Sequence, residues 1–274
     1  MKKAVALLSI CMLANPVSQA LATTGKHHKK RHHHFNHVYK DEKPVATSAV
    51  SKDASSNDDA KKNPWMDNLS GSFALTSNYV FRGVSQSENL AAVQGGLTYT
   101  FPIHIYANVW ASNVKFASTP NAQIEIDTIM GYHNTYGDNF TYDINFDRYN
   151  YPGARNINYN EANSVFNYRF LQFGLSYSAN EYATHTGGTY YNGGINYNVP
   201  SKYTFGIENI NVQALLGHSS LSRAAGNSYN DYNISISKTL RAYTAMLQWV
   251  STNGRQHGSP YDGSTVIATI SAAF

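Results

Sequence analysis

The chain has 274 residues with a single cysteine, 21 Lys and Arg against 17 Asp and Glu, and 21 Tyr beside 12 Phe. That cysteine, Cys11, sits in an N-terminal apolar run, which excludes disulfides and Cys-ligated metals from the rest of the chain. No run of about 18 apolar residues follows, so helical membrane spans are excluded. The net charge of +4 is carried by the N-terminal quarter and gives no argument for nucleic acid as a partner.

In chain order, Met1 to Ala22 has Lys2-Lys3, an apolar run from Ala4 to Ala14 and a small-x-small end at Ala20-Leu21-Ala22. This predicts a signal peptide over 1–22, cleavage after Ala22 and export. Ile10 before Cys11 argues against a lipoprotein. Residues 23–64 hold nine Lys/Arg, five Asp/Glu and almost no large apolar side chains. Such a segment cannot bury enough apolar area to offset its ordering entropy and is expected to be a disordered arm in the periplasm. Its His27, His28, His32, His33, His34 and His37 fit two readings. One is capture of Zn, Cu or Ni by neutral imidazoles; the other is a solvated tether attracted to anionic lipid or cell-wall material.

From Trp65 to Phe274 the pattern alternates with period two. It predicts an all-β domain of twelve strands near 70–82, 91–101, 104–114, 123–134, 139–149, 162–169, 171–181, 188–199, 203–217, 229–238, 242–252 and 264–274. Short connections alternate with long ones, and both chain ends fall on the short-turn side, as an up-and-down transmembrane barrel requires. The faces agree. Val93, Leu97 and Tyr99 oppose Gln94, Thr98 and Thr100, and Leu171, Phe173 and Leu175 oppose Gln172, Gly174 and Ser176. The polar sets are small side chains and amides, suited to a hydrated lumen, and in lipid only closure satisfies the strand edges. The last strand has a wholly apolar face, Val266, Ala268, Ile270, Ala272 and Phe274. A terminal aromatic resembles the signal that outer-membrane proteins present to the β-barrel assembly machinery, which assigns that role to Phe274.

The segment Ser77-Asn78-Tyr79-Val80-Phe81-Arg82-Gly83-Val84-Ser85-Gln86-Ser87 resembles the opening of the TorF-like porins, a proteobacterial family also called Gcw_chp. Val93-Gln94-Gly95-Gly96 and Asn108 to Val114 follow it in the same pattern. Glu125-Ile126-Asp127 with Gly131-Tyr132, and Leu247 to Asn253, resemble later parts of the family. The resemblance covers about residues 69–274 and implies an outer-membrane barrel with pore activity and no established substrate. The His/Lys-rich arm and the Tyr/Asn-rich middle depart from the pattern. Lipid and lipopolysaccharide outside and small hydrophilic solutes inside are then the expected partners.

With the apolar face outward, Glu125 and Asp127 on one strand and Asp143 and Asp147 on the next point inward. They form either a cation-favouring patch or half of an ion-pair plug completed by Arg82, Arg148 or Arg169. Arg82 is expected near the outer mouth, constricting the pore or holding the first loop. Tyr106 and Trp110 share the inward parity, either as a stacking surface for a sugar- or nucleoside-like solute or as filling. Gly217-His218-Ser219-Ser220 with Asn227 has a faint likeness to the Ser/His/Asn set of an outer-membrane phospholipase. A triad is defined by geometry rather than local spacing, so no catalytic residue and no cofactor is predicted.

Overall fold

The computed structural model describes residues 68–253 and 263–274. The strands in chain order are β1 (Leu69–Thr76), β2 (Val80–Phe81), β3 (Val84–Ser85), β4 (Ala92–Thr100), β5 (Ile105–Asn113), β6 (Ile124–Tyr136) and β7 (Phe140–Asn150). They continue with β8 (Tyr159–Tyr168), β9 (Leu171–Ser178), β10 (Gly188–Val199), β11 (Ile210–Ser220), β12 (Tyr229–Leu240), β13 (Tyr243–Thr252) and β14 (Thr265–Ala273). All but β2 and β3 join one closed barrel in which each strand pairs antiparallel with its sequence neighbours and β1 closes against β14. The predicted signal peptide and His-rich arm, with their metal-ligand candidates, lie outside the described residues.

Closure is made by the register that the terminal strand's alternation demands. Leu75 pairs with Ile270 on one side and Val93 on the other, so three apolar side chains share the outer surface. Gly71 N donates to Phe274 O at 2.7 Å and Phe274 N donates to Gly71 O at 3.0 Å, which fixes the last residue to the first strand. Outward side chains remain open: Leu97 is 55% exposed, Phe173 51% and Ile270 63%. Each large apolar side chain left in water forgoes about 1.5–3 kcal/mol, so a belt of them around the whole barrel calls for lipid rather than solvent. The inward set is polar, with Thr98, Asn108, Asn163, Gln172, Ser235 and Gln248 all buried.

Four predicted boundaries are corrected. The first strand does not run to residue 82 but stops at Thr76, and the chain turns inward there. The strand predicted at 203–217 begins only at Ile210. Tyr203, Phe205 and Ile207 alternate like a strand, but Phe205, Gly206 and Asn209 take positive φ of 52°, 85° and 56°, and the segment forms a 3-10 turn and bends. The strand predicted from 162 starts at Tyr159, which brings Glu161 into the sheet. His218, expected at a loop start, lies within β11.

Candidate functional site

The first long connection, residues 77–91, does not leave the barrel. β2 and β3 pair as a hairpin with Val80 opposite Ser85 and Phe81 opposite Val84. Its two-residue tip is Arg82-Gly83, at φ of 48° and 77°. Positive φ at both central positions gives the twist that such a hairpin needs. Gly83 answers a second demand, since a Cβ there would lie 2.4 Å from Thr252 Cγ2 and 2.8 Å from Asp231 Cβ. The base is tied by short polar side chains. Ser85 Oγ donates to Asn78 Oδ1 at 2.6 Å, Asn89 N donates to Ser85 Oγ at 2.8 Å, and Tyr79 N donates to Ser87 Oγ at 3.0 Å.

The tip reaches across the bore. Arg82 Nη2 lies 2.7 Å from Glu161 Oε2 and Nη1 3.3 Å from Glu181 Oε1. Its guanidinium carbon sits 4.5 Å from the Phe81 ring centre and 4.3 Å from that of Tyr190. Tyr229 donates its hydroxyl to the Arg82 carbonyl at 3.0 Å. Behind the tip, Phe81 meets Tyr149 edge-on at 6.0 Å and Tyr79 meets Trp110 edge-on at 5.5 Å. The hairpin therefore touches inward side chains of β5, β7, β8, β10, β12 and β13. Burial opposes the Arg82 charge, but Glu161, then Tyr182 and Glu181, raise its pKa well above the ordinary guanidinium value, and it stays a cation.

The wall it leans on is acidic. Glu125, Asp127, Asp143, Asp147, Glu161, Glu181 and Asp231 are all buried, and among the described residues Arg82 is the only buried Lys or Arg. Asp147 stands directly opposite Glu161 across β7 and β8, an arrangement of like charges that is unfavourable unless a cation intervenes. Tyrosines supply donors to part of this set. Tyr151 donates to Glu125 Oε1 at 3.1 Å, Tyr149 to Glu161 Oε1 at 3.1 Å, Tyr106 to Asp143 Oδ1 at 3.0 Å and Tyr190 to Asp231 Oδ1 at 3.2 Å. Both oxygens of Asp147, Oδ1 of Asp127 and Oε2 of Glu125 have no protein donor. Burial first, and then Glu125 and Asp127, push the Tyr79 and Tyr151 phenols well above their usual range, so both stay neutral donors.

The structure thus brings Arg82, Glu125, Asp127, Asp143 and Asp147 to one bore, but not in the predicted pairs. Arg148 faces outward, its Nη1 donating to Asn160 Oδ1 at 3.0 Å. Arg169 sits in the β8–β9 turn with its guanidinium 5.4 Å from the Tyr168 ring centre, and neither it nor Arg148 completes an ion pair with the acidic strands. The partners of Arg82 are Glu161 and Glu181, which sequence reasoning missed because it placed them in a loop and at a strand end. Tyr106 is held by Asp143 and by Gly131, where a Cβ would come within 2.5 Å of the Tyr106 ring. Trp110 is covered by Tyr79, so both rings already have protein partners. His218 Nδ1 pairs with Asn230 Oδ1 at 2.6 Å while the adjacent Ser219 is buried on the opposite face, so the faint triad is not assembled from them. Phe274 stays 75% exposed on the outer surface.

Residues 62–274 match a family described as "Bacterial protein of unknown function (Gcw_chp)". No curated protein matches the chain. Among solved structures it is similar to a KdgM porin at 8% identity and a TM-score of 0.50, over 75% of this chain and 99% of that one. A KdgM porin in complex with disordered oligogalacturonate gives 7% identity and 0.48, over 75% and 98%. OccD3 (OpdP) of Pseudomonas aeruginosa gives 11% identity and 0.40, over 76% and 65%. At these identities the likeness shows the fold, a closed antiparallel barrel of the outer-membrane porin type.

Proposed function

This chain belongs to the Gcw_chp family of bacterial proteins, and we propose that it is an outer-membrane channel for passive passage of small hydrophilic solutes, with a preference for cations. The apolar outer belt, the polar bore and the porin-type fold support the membrane and channel parts of this reading. The preference is carried by a single observation: seven buried carboxylates, from Glu125 to Asp231, face one buried guanidinium. A low-dielectric wall around a narrow bore strengthens their field and raises the local concentration of counter-ions. The oligogalacturonate seen with the KdgM porin is a polyanion, which this wall would repel, so that solute is not carried over. Lipopolysaccharide at the outer belt and the assembly machinery acting on the strand that ends in Phe274 are the partners that an outer-membrane site implies.

Planar-bilayer recordings of refolded mature protein across a KCl gradient test the proposal. The expected reversal potential has the sign of a cation-preferring pore, and it moves toward zero in Glu125→Gln/Asp127→Asn/Asp147→Asn. An absence of conductance, or a chloride preference, overturns it.

One observation favours a second reading, a barrel sealed at rest whose loops contact a host or matrix surface. Phe81, Val114, Tyr149, Tyr151 and Tyr159, packed with Tyr79, Phe116, Ile157 and Tyr182, fill the long-loop end with apolar and aromatic side chains. Silent bilayers together with surface binding that is lost on deleting residues 152–157, within the connection between β7 and β8, would decide for it. Metal capture by His27, His28, His32, His33, His34 and His37 is a separate proposal resting on the sequence of the arm. Calorimetry of a 23–45 peptide with Zn or Cu tests it, and affinity no tighter than millimolar removes it.

A further inference from the structure

The contacts around Arg82 are those a planar cation would select. A guanidinium is recognised edge-on by carboxylates and face-on by aromatic rings, and it differs from an ammonium in needing both. Of the groups that meet Arg82, only Phe81 travels with the hairpin; Glu161, Glu181 and Tyr190 belong to the barrel and its fourth long loop, between β9 and β10. Two of them are fixed independently of Arg82, Glu161 by the Tyr149 hydroxyl at 3.1 Å and Tyr190 by its own bond to Asp231 at 3.2 Å. The barrel thus keeps a preformed half-cage when the hairpin moves.

Two further observations make the occupant exchangeable. Arg82 Nε is buried without an acceptor, so the tethered guanidinium leaves one donor unmet that a free one can turn to satisfy. Asp147, opposite Glu161 in the register, has two oxygens without a protein donor. The carboxylate next to Glu161 is therefore an acceptor open to a displaced Arg82.

Resting on the cation-channel reading, we propose that the mouth is a guanidinium site filled at rest by the chain's own Arg82. Solutes bearing a guanidinium head group compete for Glu161, Glu181 and Tyr190, and by displacing Arg82 they loosen the hairpin that crosses the bore. The favoured solutes are guanidinium-bearing organic cations rather than alkali ions. A quaternary ammonium of similar size, which has no N–H donors, does not substitute.

Calorimetry of the refolded mature protein with guanidinium chloride at millimolar concentration, and with tetramethylammonium chloride as control, tests this without a membrane potential. A tethered competitor acts at an effective concentration in the millimolar range, so Arg82→Ala is expected to raise apparent guanidinium affinity roughly tenfold or more over wild type. Arg82→Ala/Glu161→Gln is expected to lose that gain, and tetramethylammonium to give none. Heat-modifiable gel migration checks that each variant is a folded barrel. If Arg82→Ala does not fold, Arg82→Lys serves in its place, because a Lys engages one carboxylate rather than both and leaves affinity between the two. Affinity unchanged by loss of the Arg82 guanidinium, or equal affinity for both cations, overturns the guanidinium site. The cation-channel reading fails separately, on the KCl reversal potential.

Discussion

The two walls of the bore meet the same requirement, buried polar groups inside a lipid-clad cylinder, with different chemistry. On β9 to β11 the inward side chains are largely amides, and amides serve each other. Asn211 Nδ2 donates to Asn196 Oδ1 at 2.8 Å and to Asn198 Oδ1 at 2.9 Å, and Gln213 Nε2 donates to Gln172 Oε1 at 3.2 Å. On β6 to β8 the corresponding positions are Glu125, Asp127, Asp143, Asp147 and Glu161, and carboxyl groups, unlike amides, bring acceptors without N–H donors of their own. That wall must import donors, and it does so from tyrosine hydroxyls and from a hairpin that brings Arg82 across the mouth. The inward fold of residues 77–91 is in this sense a consequence of the acidic wall, and the amide wall needs no counterpart.

The comparison breaks most visibly if the acidic wall is made like its neighbour. Glu125→Gln/Asp127→Asn/Asp147→Asn is expected to remove most of the cation preference, because each charge interacts with a passing ion by about 1 kcal/mol at 4 Å even at the dielectric of water and by more in a narrow bore. The reversal potential in a salt gradient measures it. An unchanged preference would place selectivity elsewhere.

A smaller effect is expected from freeing the hairpin while leaving the wall intact. In Gly83→Val the new side chain meets both the positive φ of 77° and Thr252 Cγ2. Left-handed backbone alone costs about 1–2 kcal/mol for a residue with a Cβ, and the docked hairpin is expected to give way before the barrel does. Single-channel conductance should rise and its fluctuations increase, with heat-modifiable migration unchanged. Conductance identical to wild type would mean that the hairpin does not restrict passage.

The strand faces were legible in the sequence because period-two alternation is a local property: β10 has the predicted limits, 188–199, and Val93, Leu97 and Phe173 stand outward as their parity requires. The hairpin was not legible in the same way. Tyr79 and Phe81 continue the odd-numbered apolar face of Leu69, Phe73 and Leu75 on β1, so a strand to residue 82 satisfied the pattern. The one contrary signal was Gly83 in the second central position between Val80-Phe81 and Val84-Ser85, which fits a two-residue turn as well as a loop start. The partners Glu161 and Glu181 lie 79 and 99 residues away from Arg82. No local spacing encodes such a contact; it exists only once the barrel has closed. The segment 203–209 misled for the opposite reason, since Tyr203, Phe205 and Ile207 have strand periodicity but follow Pro200 into a turn whose backbone is partly left-handed.

A milder test of the acidic wall is Tyr151→Phe, which removes the donor to Glu125 Oε1 while keeping the ring against Phe116. A buried hydrogen bond contributes about 0.5–3 kcal/mol, with the upper end for an ionised acceptor, so denaturant midpoints should fall while the sign of the reversal potential stays the same. An unshifted midpoint would mean that solvent already serves Glu125 as well as the tyrosine does.

The smallest change in ion flow is expected on the amide wall, and its size is what distinguishes the two walls. Asn211→Ala deletes a donor shared by Asn196 and Asn198 without altering charge. Loss of neutral hydrogen bonds of this kind costs about 0.5–1.5 kcal/mol each, so thermal stability should drop by a measurable amount. The reversal potential should not move, because nothing on this wall near Asn211 contributes to the field along the axis. If Asn211→Ala shifts selectivity as much as neutralising Asp147 does, the bore is governed by its shape rather than by the side on which its carboxylates stand, and the division into an acidic and a neutral wall loses its functional meaning.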